Sequence, residues 1–111
     1  MEKDTVLHET REMNGWIVWS VTGKIDTTTA AGVGEEGEKI LESTDKLALD
    51  LSNVAYISSA GLRVLLRMAK KAKAASKTFS VCCATGMVKV ILEEAGMDML
   101  ISIYDSLDKL N

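Results

Sequence analysis

The chain has 111 residues, 26% of them charged and 47% apolar, with a formal net charge of −3. That length supports one domain with a single core, and the composition is that of an ordinary globular chain. The charge gives no support to nucleic-acid binding by bulk electrostatics. No apolar stretch approaches the roughly 20 residues that span a bilayer, and Met1-Glu2-Lys3-Asp4 is not the start of a signal peptide. Neither a nucleic acid nor a membrane is an expected partner.

In chain order, Thr5 to Glu12 mixes β-formers with charges and is predicted as an edge strand. It holds His8, the only histidine, which has no second ligand in sight and is expected to be solvated or packed. Asn14-Gly15 is a dipeptide of the kind that closes β-hairpins. Trp16 to Thr22, rich in aromatic and β-branched residues, follows as a strand of the central sheet. Trp16 and Trp19 fall on opposite faces of such a strand, which suits packing better than a stacking platform for bases.

Gly23-Lys24-Ile25-Asp26 ends that strand, and Asp26 with Thr27 to Thr29 offers several N-caps for a first helix. Ala30, Val33, Gly37, Ile40 and Leu41 follow helical spacing and should face the sheet. Gly32, Gly34 and Gly37 each cost about 1 kcal/mol relative to alanine, so this helix should be the weakest. Glu35, Glu36, Glu38 and Glu42 read as its solvated face.

Lys46 to Leu51 is the most apolar strand, with Asp50 as the charge within it. The segment Asn53 to Leu66 then turns the chain into a second helix through Ser58, Ser59, Ala60 and Gly61. These residues are small enough for another molecule's backbone to approach closely. The first helical N–H groups are unpaired and point outward. Ser58 or Ser59 can cap them, and negative charge placed there meets the positive end of the helix dipole. A hydroxyl at this point suits a phosphoacceptor, because the dianion is stabilised where it forms. Capping alone is the simpler account of Ser58.

Leu62, Leu65, Leu66, Ala69 and Ala72 mark the buried stripe of the second helix, predicted to run to about Ala75. Arg63, Arg67, Lys70, Lys71 and Lys73 occupy the rest of its surface, either as a solvated face or as a docking surface for an acidic partner. Thr78 to Ala84 is another buried strand. It contains Cys82 and Cys83, whose adjacency hinders a bridge between them. No Cys/His ligand spacing exists elsewhere, so no metal and no cofactor are expected, and the pair reads as buried free thiols in a reducing compartment such as the cytoplasm. Thr85 caps a third helix with Val88, Ile91, Leu92 and Ala95 inside, ended by Gly96. Ile101 to Tyr104 makes a last short strand, and Asp105 or Ser106 caps a terminal helical turn through Leu110.

Alternating strands and helices indicate an α/β domain: a mixed, partly parallel sheet of four to five strands packed with about four α-helices. There is no Gly-x-x-x-x-Gly-Lys-Ser/Thr loop and no Gly-x-Ser-x-Gly elbow, and Gly32-Val33-Gly34 lies inside a helix rather than after a strand. A serine without a visible base is a weak nucleophile. Binding, not catalysis, is the expected activity.

Three segments carry a resemblance: Gly23-Lys24-Ile25-Asp26, then Leu49-Asp50-Leu51-Ser52-Asn53-Val54, then Tyr56-Ile57-Ser58-Ser59-Ala60-Gly61-Leu62. In this order and spacing they resemble a STAS domain over residues 4–110, and within that superfamily the chain is similar to the bacterial anti-sigma factor antagonists. The resemblance implies a sheet flanked on one side by helices, in a protein that is monomeric when free. It also implies a partner-switching cycle. The unmodified antagonist captures an anti-sigma factor that is a serine kinase of the histidine-kinase-like ATPase fold, and this frees the sigma factor for transcription. The kinase phosphorylates the antagonist and releases it, and a metal-dependent serine phosphatase resets it. Carried over by position, the phosphoacceptor is Ser59, with Ser58 as second choice. Ser58 stands where many such antagonists have aspartate, and Ala60 where they have a second serine or threonine. The surface that meets the kinase is Asp26, Thr27, Ser58, Ser59, Ala60, Gly61 and Arg63. The alternative that the resemblance leaves is a STAS-type module serving another regulatory or transport complex without phosphorylation.

Overall fold

A hairpin opens the computed structural model, which describes residues 6–110. Strands β1 (Leu7–Met13) and β2 (Trp16–Ile25) pair antiparallel through a two-residue turn. Asn14 and Gly15 have φ of 54° and 86° there, the paired positive values that match the twist of a tight hairpin. Thr5, at the start of the predicted edge strand, lies outside the described residues. Helix α1 (Ala30–Glu42), β3 (Lys46–Ile57), α2 (Ser59–Ala74), β4 (Thr78–Cys82), α3 (Gly86–Glu94) and β5 (Ser102–Tyr104) follow. The sheet order is β1-β2-β3-β4-β5, with every pairing after the first hairpin parallel.

The mixed α/β architecture matches the expectation, but the described residues form three α-helices rather than about four. The terminal segment is a single 3-10 turn, Leu107–Lys109, behind Ser106. Leu110 after it is extended, with φ of −71° and ψ of 129°, which ends the turn. A second 3-10 turn, Met97–Met99, follows Gly96, whose φ of 73° ends α3 as expected. Ala95 is exposed rather than part of the inner stripe.

Strand β3 departs most from the sequence reading. It does not stop at Leu51 but continues to Ile57. Against β2 its register slips twice, from Ser20↔Asp50 to Thr22↔Asn53 and from Gly23↔Val54 to Lys24↔Tyr56, with the extra residue on β3 each time. These irregularities change the burial period: Leu51, Val54 and Ile57 are buried, and the pairs between them are exposed. A strand with period three does not show the alternation by which strands are recognised.

The core lies between the sheet and the helices. Trp19, Val21 and Ile25 of β2, Leu47, Leu49 and Leu51 of β3, and Phe79 and Val81 of β4 pack with residues of all three α-helices in one buried cluster. The opposite face carries a smaller cluster of Trp16, Val18, Ala48, Cys82 and Leu110, partly covered by Tyr104 and Leu107. Trp16 and Trp19 thus serve opposite faces, as expected. The Trp19 Nε1–H donates to His8 Nδ1 at 3.0 Å, and the two rings stack, so His8 is a packed residue that satisfies a buried indole. Gly37 explains part of the glycine load of α1. A Cβ there would come within 2.7 Å of the Trp19 ring, so this glycine sets how closely α1 approaches the sheet.

Candidate functional site

Ile25 and Ile57 are register partners, so β2 and β3 end side by side at the same edge of the sheet. The starts of α1 and α2 are therefore neighbours, and the segments Asp26 to Thr29 and Ser58 form one surface. The Ser58 N–H donates to the Ile25 carbonyl at 2.9 Å, which ties the two strand ends together. Ser58 is the N-cap of α2: its Oγ accepts from the Gly61 N–H at 3.3 Å, and its carbonyl accepts from the Leu62 N–H. Ser59 is consequently the first residue of the helix, exposed, and among the described residues its hydroxyl has no hydrogen-bond partner. Helix geometry leaves the N–H groups of Ser59 and Ala60 without intrahelical acceptors, pointing outward beside that hydroxyl.

Gly61 holds this arrangement tight. A Cβ on it would meet Ile57 Cγ1 at 2.7 Å, Ile25 Cγ2 at 2.8 Å and the Ile25 carbonyl oxygen at 2.9 Å. Only glycine lets the first turn of α2 sit directly on both strand ends. The docking that results buries Gly61, Val64, Leu65, Met68 and Ala72, while Leu62, Leu66 and Ala69 are partly buried beside them. Val64 and Met68 were missing from the predicted stripe.

On the other junction, Asp26 is committed to its own loop. Its Oδ1 accepts from the Thr28 N–H at 3.0 Å, the Thr28 hydroxyl at 2.8 Å and the Thr29 N–H at 3.2 Å. The Thr28 hydroxyl first, then these backbone N–H groups, outweigh the opposing effect of desolvation and hold the Asp26 carboxyl below its ordinary value. Thr29 is the N-cap of α1, and its hydroxyl donates to the Lys24 carbonyl at 2.7 Å instead of capping the helix.

Between α1 and α2 runs a groove lined by Thr27, Ala30, Ala31, Glu35 and Glu38 on one side and Ala60, Arg63, Val64 and Arg67 on the other. It brings together Thr27, Ala60 and Arg63 of the expected contact set. Asp26, Ser58, Ser59 and Gly61 lie at its sheet-edge end or beneath it and do not line it. Glu35 and Glu38, expected on a solvated face, and Arg67, expected either on a solvated face or on a docking surface, also line the groove. The signal available was the four-residue spacing of Arg63 and Arg67, which places both on one side of α2. The same spacing relates Ser59 to Arg63, so Arg63 follows the exposed hydroxyl by one helical turn on the same side of α2.

A second polar cluster sits on the helix-free face. Asp50 Oδ1 accepts from the Ser52 N–H and Oδ2 from the Ser20 hydroxyl, each at 2.9 Å. Burial alone would push the Asp50 carboxyl up, but hydrogen bonds from Ser52, Ser20 and Cys83 together outweigh it and hold it below the usual range. Burial, then the neighbouring Cys83, pushes the Cys82 thiol far up, and burial likewise raises Cys83. Cys82 is fully buried as expected, and Cys83 is partly exposed.

This fold and junction define a STAS domain. Residues 8–110 match the model of that family, and the chain belongs to it. Its sequence is 29% identical over 105 residues to the anti-sigma-F factor antagonist RsfB of Mycobacterium tuberculosis, covering 94% of this chain and 85% of that protein. It is also similar to the crystal structure of an anti-sigma factor antagonist from Mycobacterium paratuberculosis, with a TM-score of 0.86 and 27% identity over 97% of this chain and 92% of the other. The Bacillus cell fate determinant SpoIIAA in its phosphorylated form shares the fold, with a TM-score of 0.67 and 8% identity over 93% of this chain and 95% of that one. No helix among the described residues is long and apolar enough to cross a membrane.

Proposed function

We propose that this chain is an anti-sigma factor antagonist that acts in the cytoplasm by binding, not by turnover, and that phosphorylation of Ser59 switches it between partners. The observation that carries this reading is the contrast between two adjacent serines. Ser58 is spent on the N-cap, whereas Ser59 presents an unpartnered, exposed hydroxyl at the positive end of α2. The likeness to RsfB over nearly the whole chain supports the class of partner, an anti-sigma factor. The finer reading is that this partner is a serine kinase of the histidine-kinase-like ATPase fold, and that a metal-dependent phosphatase reverses its action. The kinase contacts Asp26, Thr27, the segment Ser58 to Gly61, and Arg63.

The physics of the switch is local. A phosphate on Ser59 gains the outward N–H groups of the first turn and the helix dipole, with Arg63 one turn away as a charge-assisted partner. The domain therefore keeps its fold when modified. The same dianion sits in a close-packed contact and adds repulsion and a desolvation cost to the complex. A loss of about 3 kcal/mol at the interface weakens binding by more than a hundredfold, enough to exchange partners.

Incubation with the captured kinase and ATP, followed by peptide mapping, tests this. Phosphate is expected on Ser59, with Ser59→Asp folded but at least a hundredfold weaker for the kinase and Ser59→Ala binding constitutively. Phosphate on Ser58 alone would move the site by one residue. Phosphate on neither, with an authenticated kinase bound, would hand the case to a STAS module that works without phosphorylation.

A further inference from the structure

The helix-free face of the sheet carries ligand chemistry that the switch does not use. Asp50, Cys82 and Cys83 bring one carboxylate oxygen and two sulfurs within 4.8 Å of one another. Successive strand residues point to opposite faces, so adjacent cysteines converge only where a strand breaks between them. Here β4 ends at Cys82, and Cys83 takes a φ of 65°, a left-handed conformation uncommon for a residue with a side chain. Both thiols are thereby kept beside Asp50. The Asp50 carboxylate is itself fixed by Ser20 on one oxygen and Ser52 on the other. Two residues back along β4 on the same face, the Ser80 hydroxyl is buried with no hydrogen-bond partner among the described residues.

We propose that Asp50, Cys82 and Cys83 form a binding site for a thiophilic divalent cation of the zinc class. Two sulfurs and one oxygen suit Zn²⁺ or Cd²⁺, whereas Mg²⁺ and Ca²⁺ take oxygen ligands. A tetrahedral zinc with bonds of about 2.3 Å to sulfur holds two sulfurs about 3.8 Å apart. A cluster already within 4.8 Å closes onto the ion by a movement of about 1 Å or less. Each thiol releases its proton to solvent as its sulfur binds, and water fills the fourth position. Two thiolates and a carboxylate then exceed the charge of the cation by one, and the Arg11 cation on β1, which favours the Cys82 thiolate, offsets part of that excess. The Ser20 hydroxyl and the Ser52 N–H orient the carboxylate from outside the ligand shell. Entry is from the side of Cys83, the partly exposed ligand. The ion would join β3 to the end of β4 at the point where the Cys83 N–H bonds the Tyr104 carbonyl, and so brace the C-terminal segment. This departs from the sequence reading, which took the two cysteines as structural thiols with no metal.

The test is titration of the reduced full-length chain with Cd²⁺, followed by sulfur-to-metal charge-transfer absorbance, together with thermal unfolding in Zn²⁺. The expected result is a band that saturates at one equivalent and is reversed by a chelator, with a Tm that rises with Zn²⁺ concentration. Cys83→Ala should abolish the saturable band, and Ser20→Ala, which leaves all three ligands in place, should weaken binding about tenfold. Circular dichroism confirms that each variant is folded. Absence of a saturable band in the unaltered chain would overturn the site, whatever the variants do. So would a band that survives Cys83→Ala with the same midpoint.

Discussion

The two strand-to-helix junctions at one edge of the sheet begin from neighbouring residues, Ile25 and Ile57, yet are built in opposite ways. The β2–α1 junction runs through Asp26, Thr27, Thr28 and Thr29, and three of those side chains are tied to groups within or next to the loop. The β3–α2 junction is Ser58 alone, and the residue after it leaves its hydroxyl open. The first junction spends its polar groups on its own shape. The second spends Ser58 on the helix cap and leaves the hydroxyl of the next residue, Ser59, open. A rigid shoulder beside an open helix start is what a contact surface needs if modification is to change binding without changing the fold.

The largest expected effect on stability comes from Gly61, on which the open junction rests. In Gly61→Ala the new methyl would press on two isoleucine side chains and on the Ile25 carbonyl oxygen. The side chains can adjust, but the backbone oxygen is held by the Ser58 N–H. Overpacking of this kind costs about 1–3 kcal/mol, and here it should exceed the roughly 1 kcal/mol that alanine gains over glycine in a helix. Urea denaturation should therefore show a net loss. Unchanged or increased stability would mean that α2 is not seated on the strand ends as described.

That seating also explains which parts of the molecule were legible in the sequence. The hairpin turn at Asn14-Gly15, the order of strands and helices, and the placement of Ser58 to Gly61 at a helix start all follow from local residue chemistry, and the structure has them. The extent of β3 was not legible, because the irregular pairing between Asp50 and Asn53 and between Val54 and Tyr56 replaces alternation with a three-residue period. Burial of Val64 and Met68 follows from how closely α2 is docked through Gly61, which helical periodicity alone does not contain. For the site, the candidate residues from Asp26 to Arg63 lie at one edge, but Glu35 and Glu38 read as solvated, and Arg67 had no groove to belong to, because the groove exists only once α1 and α2 are side by side. The convergence of Cys82 and Cys83 depends on one backbone angle, which their identities do not reveal.

A smaller effect separates the two adjacent serines. Ser58→Ala removes the hydroxyl that accepts from Gly61, and loss of an N-cap costs about 1 kcal/mol. The 3.3 Å length of that bond places the loss at the lower end of the usual range. Ser59→Ala removes a hydroxyl without a described partner and should leave the denaturation midpoint unchanged. Parallel urea titrations check the pair. Equal losses in the two variants would erase the distinction between a capping serine and a free one.

The smallest effect concerns the closed junction and depends on pH. Asp26→Asn keeps an oxygen that can accept from Thr28 and Thr29 but removes the charge. In the folded chain the Thr28 hydroxyl and the backbone N–H groups hold the Asp26 carboxyl below its ordinary value of 3.8. A depressed folded value means that the unfolded chain takes up its proton first as pH falls. The stabilisation is therefore complete above the ordinary carboxylate range and is lost as pH falls through the folded value. Thermal unfolding at neutral pH should find Asp26→Asn slightly less stable than the unaltered chain, and the gap should close on acidification below about pH 4. Both proteins lose stability in acid through their other carboxylates, so the difference between the two curves is the measurement. A gap that persists or widens in acid would show that the charge of Asp26 is not what holds the loop. The shoulder beside Ser59 would then owe its rigidity to Thr29, whose hydroxyl links the Asp26 N–H to the Lys24 carbonyl whether or not Asp26 is ionised.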